Sequence, residues 1–315
     1  MKVGVIGAVG TTALTIKKLL QHGIQIGGVL GHEPKVKGKV SGLNDIKGLC
    51  AELELDYKGY TNINIPEYID WFKSMQLDVI FAVGFSQLLK DDWLTIAKHG
   101  CIGFHPTNLP KGRGRAPIAW LILEGKSGAA SFFKMGNGAD DGPIYGQEPV
   151  EIDVKDEVES LVPKVQIAIS NALDKLLPKL KAGCWDAIPQ NDAEATFYTK
   201  RDPIDGLINW NLTALEIDRL IKATTAPYPG AFSFVRGEII KIWKSAVADD
   251  NNIMGVVGRV LLVDENKGYL VKCGIGSLWI KSFTTIAKDG LKLGDFLGGA
   301  IPFDRFDEIN KKLIS

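Results

Sequence analysis

The 315-residue chain lacks the marks of several large protein classes. Its four cysteines, Cys50, Cys101, Cys184 and Cys273, stand far apart with no paired spacing, which argues against a disulfide framework and against a zinc site. No apolar segment is long enough to cross a bilayer, and Met1-Lys2-Val3-Gly4 opens a strand rather than a secretion leader. Excess charge is missing too. Lys+Arg and Asp+Glu are both 37, a formal net charge of +0, and no long basic run appears toward the C-terminus. Nucleic-acid binding draws its affinity largely from phosphate neutralisation, so this balance weighs against a tRNA partner. The N-terminal Gly7-Ala8-Val9-Gly10 also falls short of the G-x-G-x-x-G spacing of a dinucleotide site. These absences lead us to expect a reduced, cytoplasmic protein with no metal and no membrane partner.

What is present fits an α/β enzyme. With 45% hydrophobic residues the chain can bury a substantial core and divide into about two domains. Apolar runs at Lys2 to Ile6, Gln25 to Leu30, Val79 to Val83 and Gly100 to Phe104 alternate with helical patterns such as Tyr68 to Met75, a βαβ series expected to form a doubly wound, mostly parallel, Rossmann-like sheet. A long helical pattern, Glu157 to Lys181, carries Pro163 and Pro178 as points that would shorten or kink it. Gly183 is its expected stop. Beyond it, Ala231 to Val235, Glu238 to Trp243, Gly258 to Val263, Gly268 to Cys273 and Ser277 to Ile280 are short strand-like runs with turn signals, expected to make a smaller OB-like β-barrel. The expected division is a catalytic domain over 1–183, a linker over 184–205 and a barrel domain over 206–315.

The chemistry concentrates in Ile102-Gly103-Phe104-His105-Pro106-Thr107-Asn108-Leu109-Pro110-Lys111-Gly112-Arg113-Gly114-Arg115-Ala116-Pro117. A short strand buried on both faces delivers His105 to its carboxyl end, where open α/β sheets bind ligands. The loop that follows has prolines that set backbone angles, glycines that permit close approach, and arginines able to grip an anion. Pro117 suits the first position of a helix. A second loop, Met135-Gly136-Asn137-Gly138-Ala139-Asp140-Asp141-Gly142-Pro143, lies between two further strand-like runs, and strand adjacency is expected to bring Asp140 to His105. His22, His32 and His99 have no accompanying constellation and receive no role.

The strand followed by HP-x-x-LPK-x-RGRAPI and a later D-x-G-P resembles the folate-dependent formyltransferases, the family of methionyl-tRNA formyltransferase and the sugar N-formyltransferases. The resemblance continues through Phe197-Tyr198-Thr199-Lys200-Arg201-Asp202-Pro203, Ile208-Asn209-Trp210, Ala226-Pro227-Tyr228-Pro229-Gly230-Ala231-Phe232 and Lys241-Ile242-Trp243. It implies transfer of a formyl group from N10-formyltetrahydrofolate to an amine, with no metal, by an Asn, a His and an Asp. His105 and Asp140 match the second and third of these, and Asp141 is the neighbouring competitor for the carboxylate. The family asparagine lies two residues before the histidine, where this chain has Gly103. Asn108 and a backbone N–H near Gly103 are the alternative donors to the formyl oxygen.

The chemistry needs such groups regardless of family. An attacking amine must shed a proton, the acyl oxygen needs a donor, and water must be kept out. We expect Asp140 to accept the proton and His105 to polarise the formyl oxygen. By resemblance, Phe85, Gln87 and Leu88 on the loop after Val79 to Val83, with Gly138 and Ala139, are expected at the folate site, and Lys111, Arg113, Arg115 and Arg201 at the acceptor. The loop His32 to Lys39 reads as a solvated surface loop or acceptor-facing flap. The favoured acceptor is a nucleotide-linked amino sugar. The alternatives are methionyl-tRNA, a degenerate folate- or nucleotide-binding protein without turnover, and a folate hydrolase.

Overall fold

The computed structural model describes residues 1–34, 42–85, 87–249, 253–287, 289–298 and 306–314. The Lys35 to Lys39 part of the expected flap lies outside them. The chain forms two compact units, one of Met1–Pro117, Ser127–Glu151 and Val162–Thr199, the other of Ile118–Lys126, Ile152–Leu161 and the residues from Lys200 onward.

The first half runs β1 (Lys2–Gly7), α1 (Gly10–Gln21), β2 (Gln25–His32), α2 (Ile46–Glu52), β3 (Tyr57–Tyr60), α3 (Pro66–Ser74), β4 (Val79–Ala82), α4 (Asp91–Thr95) and β5 (Cys101–His105). Next come β6 (Arg113–Gly114), α5 (Pro117–Glu124), β7 (Gly128–Lys134), β8 (Ile144–Val150), α6 (Val158–Lys181) and β9 (Phe197–Tyr198). Seven strands form one sheet in the order β3-β2-β1-β4-β5-β7-β8. Pairing is parallel from β3 to β5 and antiparallel at β5–β7 and β7–β8. The all-apolar β4, VIFA, is buried at every residue, as a strand covered on both faces requires. Strand order reverses between β1 and β4, so the carboxyl ends of β1, β4 and β5 border the crevice where such sheets bind ligands. Gly7 makes that crevice tight, because a Cβ there would lie 2.0 Å from the Val83 carbonyl oxygen and 2.3 Å from Thr12 Oγ1.

Helix α6 is longer than its prolines suggest, since Pro163 and Pro178 both lie inside the 24-residue helix. Each proline removes one backbone donor, and the stripe Val165, Ile169, Leu173, Leu177 and Leu180, all buried, outweighs that loss. Gly183, at φ 84°, ends the helix. The Cys184 N–H donates to the Lys179 carbonyl at 3.0 Å and the Gly183 N–H to that of Leu180 at 3.1 Å, a Schellman closure.

The second unit contains α7 (Ala214–Thr224), β10 (Ala231–Val235), β11 (Glu238–Val247), β12 (Val260–Asp264), β13 (Gly268–Lys272), β14 (Ser277–Thr285) and α8 (Phe306–Ile314). Thr213 and Glu216 form a capping box on α7. The antiparallel sheet has the order β10-β11-β14-β13-β12. Its two edges are linked by one segment, with Leu297 bridging to Val235 and Phe296 to Arg259. Inside lie Ile217, Ile221, Val235, Ile240, Ile242 and Leu278. Helix α8 was not expected from the sequence. It seats Ile309 and Leu313 against Phe232.

Candidate active site

His105 ends β5 and is only 5% exposed. Its Nε2 lies 2.8 Å from the Gly112 carbonyl oxygen. A carbonyl can only accept, so Nε2 carries a hydrogen, and Nδ1 is the nitrogen that faces the Asp140 carboxylate at 3.5 Å. The same Asp140 oxygen, Oδ2, accepts the Gly114 N–H at 2.8 Å. Burial pushes the imidazole below its ordinary value, while the Asp140 charge and the Gly112 hydrogen bond pull the other way. In a neutral ring Nδ1 presents a lone pair to the carboxylate, so a proton entering this gap has an acceptor on each side. Such a pair is suited to taking a proton from an attacking amine.

Simple strand adjacency does not explain how Asp140 arrives. β7 runs antiparallel to β5, with Lys134 opposite Ile102 and Ser131 opposite His105. The loop after β7 therefore starts at the amino end of β5 and doubles back about 10 Å, the length of three strand residues. Gly103 accommodates the side chains beside this return. A Cβ there would meet Phe133 Cζ at 2.8 Å and Met135 Cγ at 2.9 Å. The space that a side chain at 103 would need is filled by hydrocarbon. Asp140 itself has a φ of 53°, a left-handed backbone that Asp tolerates better than most residues.

Loop 106–116 is bound on several sides. Thr107 Oγ1 donates to the Gly112 carbonyl at 3.3 Å, Ser131 Oγ to the Thr107 carbonyl at 2.6 Å, and Gln147 Nε2 to the Leu109 carbonyl at 3.0 Å. The Gly112 N–H donates to Thr196 Oγ1 at 2.8 Å. Arg113 is 3% exposed. Its Nε and Nη2 donate to Gln190 Oε1 at 3.1 and 2.8 Å, and Nη2 also lies 2.8 Å from Asp192 Oδ1. The guanidinium expected to meet an acceptor is thus committed inside the protein.

The other expected residues lie as follows. Asn108, Lys111 and Arg115 are exposed. Phe85 is half-buried against the core beneath β4, and Leu88 is 72% exposed. Gln87 is tied back, accepting from the Ile63 N–H at 3.0 Å and donating to the Thr61 carbonyl at 2.8 Å. Gly138 and Ala139 are exposed on the returning loop, and Asp141 folds against Gly138. Arg201 belongs to the second unit, where it sits 5.1 Å over the Trp120 ring and donates to the Asp205 carbonyl. His22 pairs with Asp174, His32 stacks on Tyr60 and His99 stacks on Trp185. Sequence reasoning missed Gln190, Thr196, Phe133 and Met135. The only signal for Gln190 was its place in the turn-rich Pro189-Gln190-Asn191-Asp192, which reads as connector. Among the described residues no group of three His, Cys, Asp or Glu is arranged to hold a metal ion, and no helix is long and apolar enough to cross a membrane.

A doubly wound sheet thus carries a buried His–Asp pair at the end of β5, and a small antiparallel β domain follows it in the chain. The formyl transferase family model matches residues 2–177, and the model of the formyl transferase C-terminal domain matches residues 200–300. The chain belongs to the formyl transferase family. Among solved structures it is similar to WlaRD, a sugar 3N-formyltransferase crystallised in the presence of dTDP and 5-N-formyl-THF, at 17% identity and a TM-score of 0.67, over 91% of this chain and 98% of that one. An N-formyltransferase from Helicobacter canadensis, solved with folinic acid and dTDP-3-aminofucose, gives 16% identity and 0.65 over 89% and 98%. Methionyl-tRNA formyltransferase from Clostridium thermocellum gives 19% and 0.55 over 79% and 94%.

Proposed function

We propose that this protein transfers a formyl group from N10-formyltetrahydrofolate to the amine of a nucleotide-linked amino sugar. The observation that carries the reading is the buried pair of His105 Nδ1 and Asp140 Oδ2, 3.5 Å apart at the carboxyl end of β5. The half-buried Phe85 ring and the exposed Leu88 side chain suit a flat, partly apolar folate at the end of β4. Gly138 and Ala139 border the same reaction on the returning loop. The folate supplies the activated formyl carbon.

Asp140 accepts the proton that the amine sheds as its nitrogen bonds to that carbon, and when the carbon–N10 bond breaks N10 leaves with the bonding pair and takes up a proton, giving tetrahydrofolate. His105, protonated at Nδ1 through the shared gap, then places a positive charge beside the charge developing on the formyl oxygen. The tight packing over Gly103 leaves a backbone N–H or the Asn108 amide as the hydrogen-bond donor to that oxygen. Lys111 and Arg115, both exposed, meet the acceptor's phosphates. Arg113, already satisfied, holds the loop, and Arg201 is assigned to the acceptor on resemblance alone. The same reading keeps the catalytic domain at 1–183, the linker at 184–205 and the barrel domain at 206–315.

The test is mass spectrometry of the protein incubated with N10-formyltetrahydrofolate and a panel of amino-sugar nucleotides, with methionyl-tRNA in parallel. A gain of one formyl mass on a sugar nucleotide, lost in His105→Ala, is the expected result. A gain on tRNA alone would replace the acceptor, and donor binding without any gain would make the protein a non-catalytic binder.

A further inference from the structure

His105 and Asp140 are oriented by the same short stretch of backbone. The Gly112 carbonyl holds Nε2 of the histidine, and the Gly114 N–H holds Oδ2 of the aspartate. The separation of the pair therefore depends on how residues 112–114 sit against the loop carrying Asp140. Segment 190–198 grips those residues along their length. Besides the Gly112 bond to Thr196 Oγ1, the Arg113 N–H donates to the Thr196 carbonyl at 2.9 Å and the Arg115 N–H to the Tyr198 carbonyl at 3.0 Å. Strands β6 and β9 are this contact in its regular part.

One side chain in the segment reaches both loops. Gln190 accepts two hydrogen bonds from Arg113 through Oε1, and through Nε2 it donates to the Asp140 carbonyl at 2.8 Å and the Gly142 carbonyl at 2.7 Å. Its amide uses acceptor and donors together, two bonds on each end. The carbonyl it holds at Asp140 belongs to the residue with the left-handed backbone, a conformation that persists only when its surroundings impose it. We propose that Gln190 is a positioning residue that locks loop 106–116 to loop 135–143 and so sets the gap between the His105 imidazole and the Asp140 carboxylate.

The inference rests on reading these two groups as the reacting pair, and the experiment separates the two ideas. In Gln190→Leu both ends are lost. Gln190→Glu keeps the acceptor for Arg113 and loses the donors to the Asp140 and Gly142 carbonyls, and it serves as the milder variant should the first fail to fold. Amide hydrogen exchange over residues 112–115 and 139–143, and the titration of the His105 ring followed by NMR, are read in the full-length protein without any acceptor. The groups facing the ring are the Asp140 carboxylate and the Gly112 carbonyl. Since burial is the largest influence on the ring, loosening is expected to raise its midpoint toward the ordinary histidine value.

Exchange in both segments should quicken, more in Gln190→Leu than in Gln190→Glu. In the formyl-transfer assay kcat should fall by about 10- to 100-fold, with KM for either substrate changed less than about threefold, as misplacement of reacting groups predicts. Unchanged exchange and an unchanged His105 titration in both variants would overturn the proposal. Loosened loops in a protein whose wild type transfers no formyl group would defeat the reaction assignment and leave the positioning role standing.

Discussion

Strands β4 and β5 are neighbours in the sheet, yet their carboxyl ends lead into loops of opposite construction. The loop after β5 turns much of itself inward. His105, Thr107, Leu109 and Arg113 are buried, and side chains from β7, β8 and segment 190–198 bind its backbone. The loop after β4 is held through Gln87 and through Asn64, which binds the Leu88 carbonyl and the Lys90 N–H, and it leaves the Leu88 side chain in solvent. At equivalent topological positions one loop is fixed around the His105–Asp140 pair, and the other leaves an apolar side chain uncovered.

The contrast breaks most sharply at the pair itself. His105→Ala or Asp140→Asn should lower kcat by about 10²- to 10⁴-fold, the usual cost of removing a proton-transfer group, with the folate KM little changed in steady-state assays. Gly103→Asn, which would restore the family amide, should instead destabilise the protein by about 1–3 kcal/mol in urea unfolding, because the new Cβ meets Phe133 and Met135 at under 3 Å. It should raise activity no higher than wild type, and a gain would mean that those two side chains retreat. On the β4 side, Leu88→Ala should leave the unfolding free energy from urea titration within about 0.5 kcal/mol of wild type. The KM for the folate donor should rise about three- to tenfold, as loss of a ligand-covered Leu predicts.

The smallest effect is on pH dependence. Burial holds His105 below the ordinary 6.5, so on acidification the unfolded chain takes up the proton first. The stability this group contributes is whole above about pH 6.5 and is lost as pH falls toward its folded value. His32 and His99 are held down by burial in the same sense. His105→Gln should therefore flatten, without abolishing, the decline in unfolding free energy between about pH 7 and pH 5 measured by urea titration.

Much of this was legible in the residues. Short apolar runs marked β1, β2, β4 and β5 because buried parallel strands have few other ways to be written, and Pro117 and Gly183 marked helix ends because their backbones admit little else. His105 and Asp140 stood out by the loops around them. Their meeting was expected for an incomplete reason, since pairing of β5 with β7 is antiparallel and only the doubled-back loop closes the distance. Arg113 was expected at the acceptor because its chemistry suits phosphate as well as it suits Gln190 and Asp192, and partners 77 and 79 positions away leave no local trace. Gly103 stood out as the departure from the asparagine pattern, while the Phe133 and Met135 side chains that fill its space left no local signal. Helix α8 hid for a related reason: Ile309 and Leu313, which it buries, are a single helical step of hydrophobicity.

The segment holding Phe296 and Leu297 joins the two outer strands of the second unit. Unpaired strand edges are templates on which other chains polymerise. By occupying hydrogen-bonding groups beside both β10 and β12, a few residues guard against β-sheet aggregation. A chain cut just before Phe296 should keep the sequence of every strand of that sheet and lose both the guard and helix α8 over Phe232, so it would turn its solution turbid.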